Sequence, residues 1–165
     1  DDYDAGGAWA QQGKIIVPLL DALLSDSFIT SAVPKSIGKE YFSLLWLEDY
    51  LKEEYKAVDV QKTLLAFTAQ TIANTILNER QQVETIYLCG GGTHNLALLH
   101  MLRELLTKIS VKSIAEVGIS PDYLEAMMFA WLAAQTINQV PVDLSTITGS
   151  QQPAILGAIY PVTKI

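Results

Sequence analysis

The sequence predicts a single helix-rich α/β domain, and three observations predict it. A β-favouring run at 83–89, Val-Glu-Thr-Ile-Tyr-Leu-Cys, turns continuously apolar at its end, as central parallel strands do. Three glycines, Gly90, Gly91 and Gly92, follow at once, and an apolar-periodic helix runs on through Leu96, Leu99, Leu102 and Leu106. Further on, Ser120-Pro121-Asp122 sets an N-cap, a proline and an acid at the start of a helix extending to about Asn138. At 165 residues, half of them hydrophobic and 18% charged, the chain has enough apolar surface for one sizeable core.

The remaining elements follow in chain order. Residues 15–24 are apolar on most sides and end in Ser25-Asp26-Ser27, a short buried helix with Pro18 in its first turn and a turn after it. Residues 31–38 contain Pro34-Lys35-Ser36 and a glycine and read as a loop, ahead of an aromatic-rich helix at 40–51 with Phe42, Leu45 and Trp46 on one face. Asp59 is placed to N-cap a long helix to about Asn78 that carries Val60, Leu64, Phe67, Thr71 and Ile72 at helical spacing. Residues 111–117 form a second, weaker strand. Residues 141–148 read as extended, and 153–160 as a last short helix.

Composition excludes several classes. A net charge of −7 offers no clustered cations for phosphate backbones, so nucleic acid is not an expected partner. Cys89 is the single cysteine, and with only His94 and His100 beside it no Cys/His metal site and no internal disulfide is expected; a reducing cytoplasm fits. The longest nearly uncharged run, 126–140, is shorter than the roughly 20 residues that span a bilayer, and no signal peptide is read at the start.

The glycine turn carries the main chemical signal. In open α/β sheets ligands sit beyond the carboxyl ends of strands, and glycines there let the backbone approach a ligand with no Cβ in the way. A helix starting near Thr93 to Asn95 would also aim free amides at the turn, which favours phosphate. The plain alternative is a tight turn with Thr93 or Asn95 as an ordinary cap; with no Walker lysine and no dinucleotide fingerprint, spacing alone leaves both standing.

Glu125 is the only charged side chain between Tyr123 and Ala134. A carboxylate in an apolar wall marks a ligand contact, such as a sugar hydroxyl, or else sits on a solvated edge where it suits the helix dipole. Lys35 reads either as a phosphate or substrate-acid contact or as solvated surface. His94 reads as an acid/base group or a hydrogen-bonding turn residue, and no acid close in sequence orients it. Met127, Met128, Phe129 and Trp131 read as core.

Five ordered blocks, Tyr3-Asp4-Ala5-Gly6-Gly7-Ala8, Pro34-Lys35-Ser36-Ile37-Gly38-Lys39-Glu40, Cys89-Gly90-Gly91-Gly92-Thr93-His94-Asn95, the run from Glu125 to Ala133, and Leu156-Gly157-Ala158-Ile159-Tyr160-Pro161, together resemble the anhydro-N-acetylmuramic acid kinase family over essentially the whole chain. Val33, Ile37 and Lys39 stand where that family more often has proline, threonine and arginine. The resemblance implies a ribonuclease-H-like, actin-type ATPase domain, with residues 1–165 as the C-terminal domain of a two-domain sugar kinase.

The implied reaction uses ATP with Mg2+ to phosphorylate 1,6-anhydro-N-acetylmuramic acid while water opens the anhydro bridge, giving N-acetylmuramic acid 6-phosphate. On the same resemblance Gly90, Gly91, Gly92 and Asn95 match the adenosine-side loop, and Glu125 matches an acid near the sugar. The general-base aspartate belongs to an Asp-Thr-Gly-Pro-Gly-Asn segment that this sequence lacks. Asp1, Asp2 and Asp4 do not replace it, so the catalytic base is unassigned and the fragment alone is expected to be inactive. A homodimer and a cytoplasmic setting are implied as well. An inert binding or dimerisation module of the same fold, and another sugar or acid kinase of the superfamily, are the competing readings.

Overall fold

The computed structural model describes residues 3–78 and 82–160; Asp1, Asp2 and Pro161, which the sequence reading touches, lie outside them. Helix α1 (Val17–Leu24) starts with Pro18 in its first turn and buries Leu19 and Leu23 completely. These two lie one turn apart, on the face that meets α4 (Ala57–Leu77), the spine of the fold. Between them lies α2 (Ser27–Thr30), capped by the Asp26 carboxylate.

The first half of α4 contributes Val60 and Phe67 to a core with Leu19 and Leu23. Its second half presents Ala69 and Ala73, fully buried and four residues apart, to Leu102, Leu106 and Val111. Two alanines in register leave no bulk between helices, so α5 (Leu96–Leu105) lies close against α4.

Two starts differ from expectation. Helix α4 opens at Ala57, with Lys56 in the cap position and no capping side chain. Asp59 therefore sits inside the first turn, where its charge suits the helix dipole and its Oδ1 accepts the Lys14 amide at 2.8 Å. The buried Thr63 hydroxyl accepts the Ile16 amide at 3.0 Å and donates to Asp59 O at 2.7 Å, fastening the N-terminal loop along the helix. The aromatic helix expected at 40–51 shrinks to α3 (Leu44–Glu48), capped by Ser43. Phe42 still meets Trp46 edge-on at 5.0 Å, but Leu45 is 75% exposed, so the expected shared face of three is not formed. Phe42, 38% exposed, also packs on Phe28 and Phe67 at the edge of the core that holds Phe67 and Trp46.

Strand β1 (Thr85–Leu88) pairs in parallel with β2 (Ser110–Ser113), Thr85 opposite Ser110 and Leu88 opposite Ser113, with α5 as the crossover. The described residues hold this one two-stranded sheet, so β1 has a single neighbour among them and the central position expected for it is not seen. Ile86, Leu88 and Val111 face the α4–α5 core. The second strand is shorter than the run 111–117, because Ser113 caps a 3-10 turn at Ile114–Val117 that Gly118 ends at φ +83°.

Helix α6 (Leu124–Ile137) has no buried residue. Ser120, Pro121 and Asp122 form the turn before it instead of capping it, with the Tyr123 amide bonded to Ser120 O. Met127, Met128, Phe129 and Trp131, expected in the core, are each about half exposed or more. The C-terminal elements exchange types. Residues expected to be extended form α7 (Ser145–Thr148), ended by Gly149 in the left-handed region. The helix expected at 153–160 is absent; Ala154 makes an antiparallel bridge with Val142. Proline at 153, with no amide to donate, and Gly157 at φ +86° both disfavour a helix there. Among the described residues no helix is long and apolar enough to cross a membrane.

Candidate functional site

The glycine turn stands at the carboxyl end of β1. Gly90 has φ +75° and ψ −179°, a conformation open essentially to glycine alone. Its amide donates to Pro121 O at 2.8 Å, and its carbonyl accepts both the Thr93 amide, at 3.1 Å, and the Thr93 hydroxyl, at 2.8 Å. Gly91–His94 then make one 3-10 turn. Helix α5 starts at Leu96, a little later than expected, with Asn95 as N-cap: its Oδ1 accepts the Leu98 amide at 3.0 Å. Asn95 thus fills the ordinary capping role that the sequence left open.

Local packing does not require all three glycines. A Cβ built at Gly91 would meet nothing within 4 Å, and one at Gly92 would meet only Leu98 at 3.9 Å. The space beside the turn is therefore open to an incoming group. Behind it, Gly7 at φ +75° closes on the cap of α5: a side chain there would collide with Asn95 and with Ala97 Cβ, 2.6 Å away. Sequence reasoning did not connect Gly7 to Asn95, since everything from α1 through β1 lies between them in the chain.

A second link was also missed. His94 Nε2 lies 2.8 Å from Asp122 Oδ1, 28 residues ahead, with both side chains more than half exposed. With the bond from Gly90 to Pro121, this holds the turn against the segment leading into α6. Glu125 is exposed in the first turn of α6, on the same lead-in. The turn, Asn95, and the start of α6 are therefore neighbours.

Lys35 makes its contacts elsewhere. Its Nζ donates to Phe28 O, Ile29 O and Ser31 O at 2.7, 2.8 and 3.1 Å and lies 5.0 Å from the Phe28 ring centroid. All three protons are committed to carbonyls at the C-terminal end of α2 and its cap, of which Phe28 O also accepts the Ser31 amide and hydroxyl. Nearby, Asp26 is 6% exposed and accepts the Phe28 amide (2.8 Å), Trp46 Nε1 (3.0 Å), the Tyr41 hydroxyl (3.1 Å) and the Tyr50 hydroxyl (3.3 Å). Burial pushes its carboxyl up, but hydrogen bonds from Trp46, the Phe28 amide, Tyr41 and the Ile29 amide together outweigh it and hold the group below the ordinary carboxylate value. Burial, then the Asp26 charge, push the Tyr50 phenol up.

Asp4 is an anchor of the same kind. Its carboxylate takes the Trp9 and Ala10 amides at 2.8 and 3.0 Å. Burial raises its pKa, and bonds from these amides and Gln61 overcome that and lower it. The described residues contain no group of three or more His, Cys, Asp or Glu side chains able to hold a metal ion.

A parallel β-α-β unit with a glycine turn at the strand's carboxyl end defines an α/β domain with an open loop at the usual ligand position. The sequence model of the anhydro-N-acetylmuramic acid kinase family matches residues 1–162, and the chain belongs to that family. Among its relatives is the anhydro-N-acetylmuramic acid kinase of Legionella pneumophila (strain Corby), 62% identical over 162 residues, which are 98% of this chain and 44% of the relative. That of Coxiella burnetii (strain Dugway 5J108-111) is 42% identical over 160 residues, 96% of this chain and 43% of the relative. The chain thus spans less than half the length of the curated relatives it matches.

Proposed function

We propose that this chain is the C-terminal part of an ATP-dependent kinase that hydrolyses and phosphorylates 1,6-anhydro-N-acetylmuramic acid to N-acetylmuramic acid 6-phosphate in peptidoglycan recycling. The observation that carries the reading is the open glycine turn, with free space where Cβ atoms at Gly91 and Gly92 would stand, in a chain of this family.

The residues present fit a nucleotide. Gly90 sets the reversal at the strand end, and Gly91 and Gly92 let the main chain lie against the adenosine side. Asn95 keeps the turn and α5 in register through its cap. A bound nucleotide supplies the phosphoryl group, with Mg2+ accompanying its phosphates. Glu125, at the neighbouring start of α6, accepts a hydrogen bond from a sugar hydroxyl; its carboxylate is exposed and makes no hydrogen bond or ion pair among the described residues. The chain's contribution is positioning and charge stabilisation, with the general base supplied by the segment that this sequence lacks. Alone the chain is inactive. The reading carries with it a ribonuclease-H-like topology, a second domain, a homodimer and a cytoplasmic setting.

Calorimetry with ADP and Mg2+ on a full-length protein containing this chain tests the proposal. The wild type binds, and Gly91→Ala weakens binding at least tenfold without changing the thermal midpoint. A full-length protein that binds no nucleotide refutes it.

A further inference from the structure

Gly91 and Gly92 are bracketed by two bonds to one neighbouring turn. Ahead of them the Gly90 amide donates to Pro121 O at 2.8 Å, and behind them His94 Nε2 lies 2.8 Å from Asp122 Oδ1. Pro121 and Asp122 are adjacent in the turn whose Tyr123 amide donates to Ser120 O, directly before α6. A carboxylate offers acceptors only, so the imidazole donates from Nε2. This fixes the histidine at the end of the 3-10 turn Gly91–His94, one residue before the Asn95 cap of α5.

Packing does not set the direction of the glycine turn. Among the described residues, Cβ atoms at Gly90 and Gly91 would meet nothing within 4 Å, and one at Gly92 would meet only Leu98 at 3.9 Å. Inside the turn, Gly90 O accepts the Thr93 amide and hydroxyl, which holds its shape but not its orientation on the domain. Glycine leaves the main chain pliable, so orientation rests on the two outside bonds. One is main chain; the other depends on the side chains of His94 and Asp122, which are 65% and 54% exposed. A pair so open to water adds little to global stability, and its effect is local.

We propose that His94 and Asp122 are a positioning pair for nucleotide binding: their bond holds the glycine turn in the orientation that receives the adenosine side, and His94 takes no part in proton transfer. The inference rests on reading the glycine turn as a nucleotide site. A ligand that binds only the correctly oriented turn loses affinity in proportion to the fraction of molecules that hold it so. An exposed pair biases such an equilibrium by up to about fivefold, which sets the size of the effect.

The test is a double-mutant cycle in full-length protein, read by calorimetry with ADP and Mg2+ and by steady-state kinetics. His94→Ala and Asp122→Ala should each raise the ADP Kd and the ATP KM about three- to fivefold, with kcat within twofold of wild type. Their thermal midpoints should stay within about 2 °C of wild type. The double variant should bind no more weakly than either single one. His94→Gln keeps an N–H donor at about the reach of Nε2 and should restore affinity to within twofold of wild type. Single effects that multiply in the double variant overturn the proposal, as does a lowered thermal midpoint with ATP KM unchanged. A tenfold fall in kcat at unchanged KM overturns it too, by making His94 an acid/base group. Wild type and variants that bind ADP equally well reject the positioning pair alone. A wild-type protein that binds no ADP rejects the nucleotide reading, and the pair with it.

Discussion

Asp26→Ala should be the most damaging single change in the first half of the chain. It removes one acceptor from four donors: the Phe28 amide, Trp46 Nε1 and the hydroxyls of Tyr41 and Tyr50. Breaking one side of a hydrogen bond to a charged group costs about 1.5–3 kcal/mol. The two tyrosine hydroxyls are on half-buried residues and can turn to water, so only the Phe28 and Trp46 bonds count in full, which predicts a loss of roughly 3–6 kcal/mol. Asp26→Asn keeps the shape and one acceptor but sets an amide NH2 against N–H and O–H donors, and should cost about 2 kcal/mol.

The pH dependence has a definite sign. The folded carboxyl titrates below its unfolded value of about 3.9, so the stabilisation is complete above that value and disappears as pH falls through the folded pKa. Urea denaturation followed by tryptophan fluorescence should show a constant gap between wild type and Asp26→Asn from about pH 5 to 8, closing below about pH 4. An Asp26→Ala loss under about 1 kcal/mol, or a gap unchanged at about pH 3, would show that the carboxylate does not organise the aromatic cluster.

Four further outcomes are expected. Gly7→Ala combines positive φ with a collision against Asn95 and Ala97, so it should lower stability by about 2–4 kcal/mol in thermal or urea unfolding; a neutral result would mean the cap of α5 gives way. Gly90→Ala should destabilise by about 1–3 kcal/mol, whereas Gly91→Ala, with open space for its Cβ, should leave unfolding unchanged and act on nucleotide binding alone; equal melting effects would refute that division. Lys35→Met loses three bonds to carbonyls of α2 and its C-cap Ser31 and should cost about 1–2 kcal/mol while the sugar KM of the full-length enzyme stays within twofold; a tenfold rise in KM would place the ammonium on substrate. Glu125→Gln should lower kcat/KM for the anhydro-sugar at least tenfold at unchanged thermal midpoint, and full activity would remove Glu125 from the site.

What was legible in the sequence is what depends on neighbours along the chain. The run into Cys89, the glycines and the Leu96 periodicity placed the strand, turn and helix within a few residues, because hydrophobic period and backbone freedom are local properties. The same rules failed where a distant group decides. The aromatic helix is cut to Leu44–Glu48 while Tyr41, Trp46 and Tyr50 converge on Asp26, up to 24 residues earlier. His94 reads as lacking an acid until Asp122 comes into place, and Gly7 has no structural role of its own in the sequence until the cap of α5 closes on it. Lys35 shows the converse. Its charge suggested a ligand, but the carbonyls at the end of a four-residue helix take its protons first.

Helix α6 marks a different limit. Its composition leads to an expectation of core that the described residues do not meet, since an apolar side chain has no directional preference for one partner and its burial depends on what lies beside it. Within residues 3–78 and 82–160 that expectation is left unmet at Met127, Met128, Phe129 and Trp131, although α4, just as dependent on tertiary packing, buries Ala69 and Ala73 completely. The contrast ties the exposure to the location of α6. Glu125 and the glycine turn both adjoin the start of this helix, so whatever covers its apolar face also closes over the candidate site from that side. On this geometry a defect introduced in the middle of α6, such as Phe129→Asp, should weaken nucleotide binding through lost closure even though Phe129 lies more than one helical turn beyond Glu125. Unchanged ADP affinity in a folded Phe129→Asp protein would show that the site closes without α6.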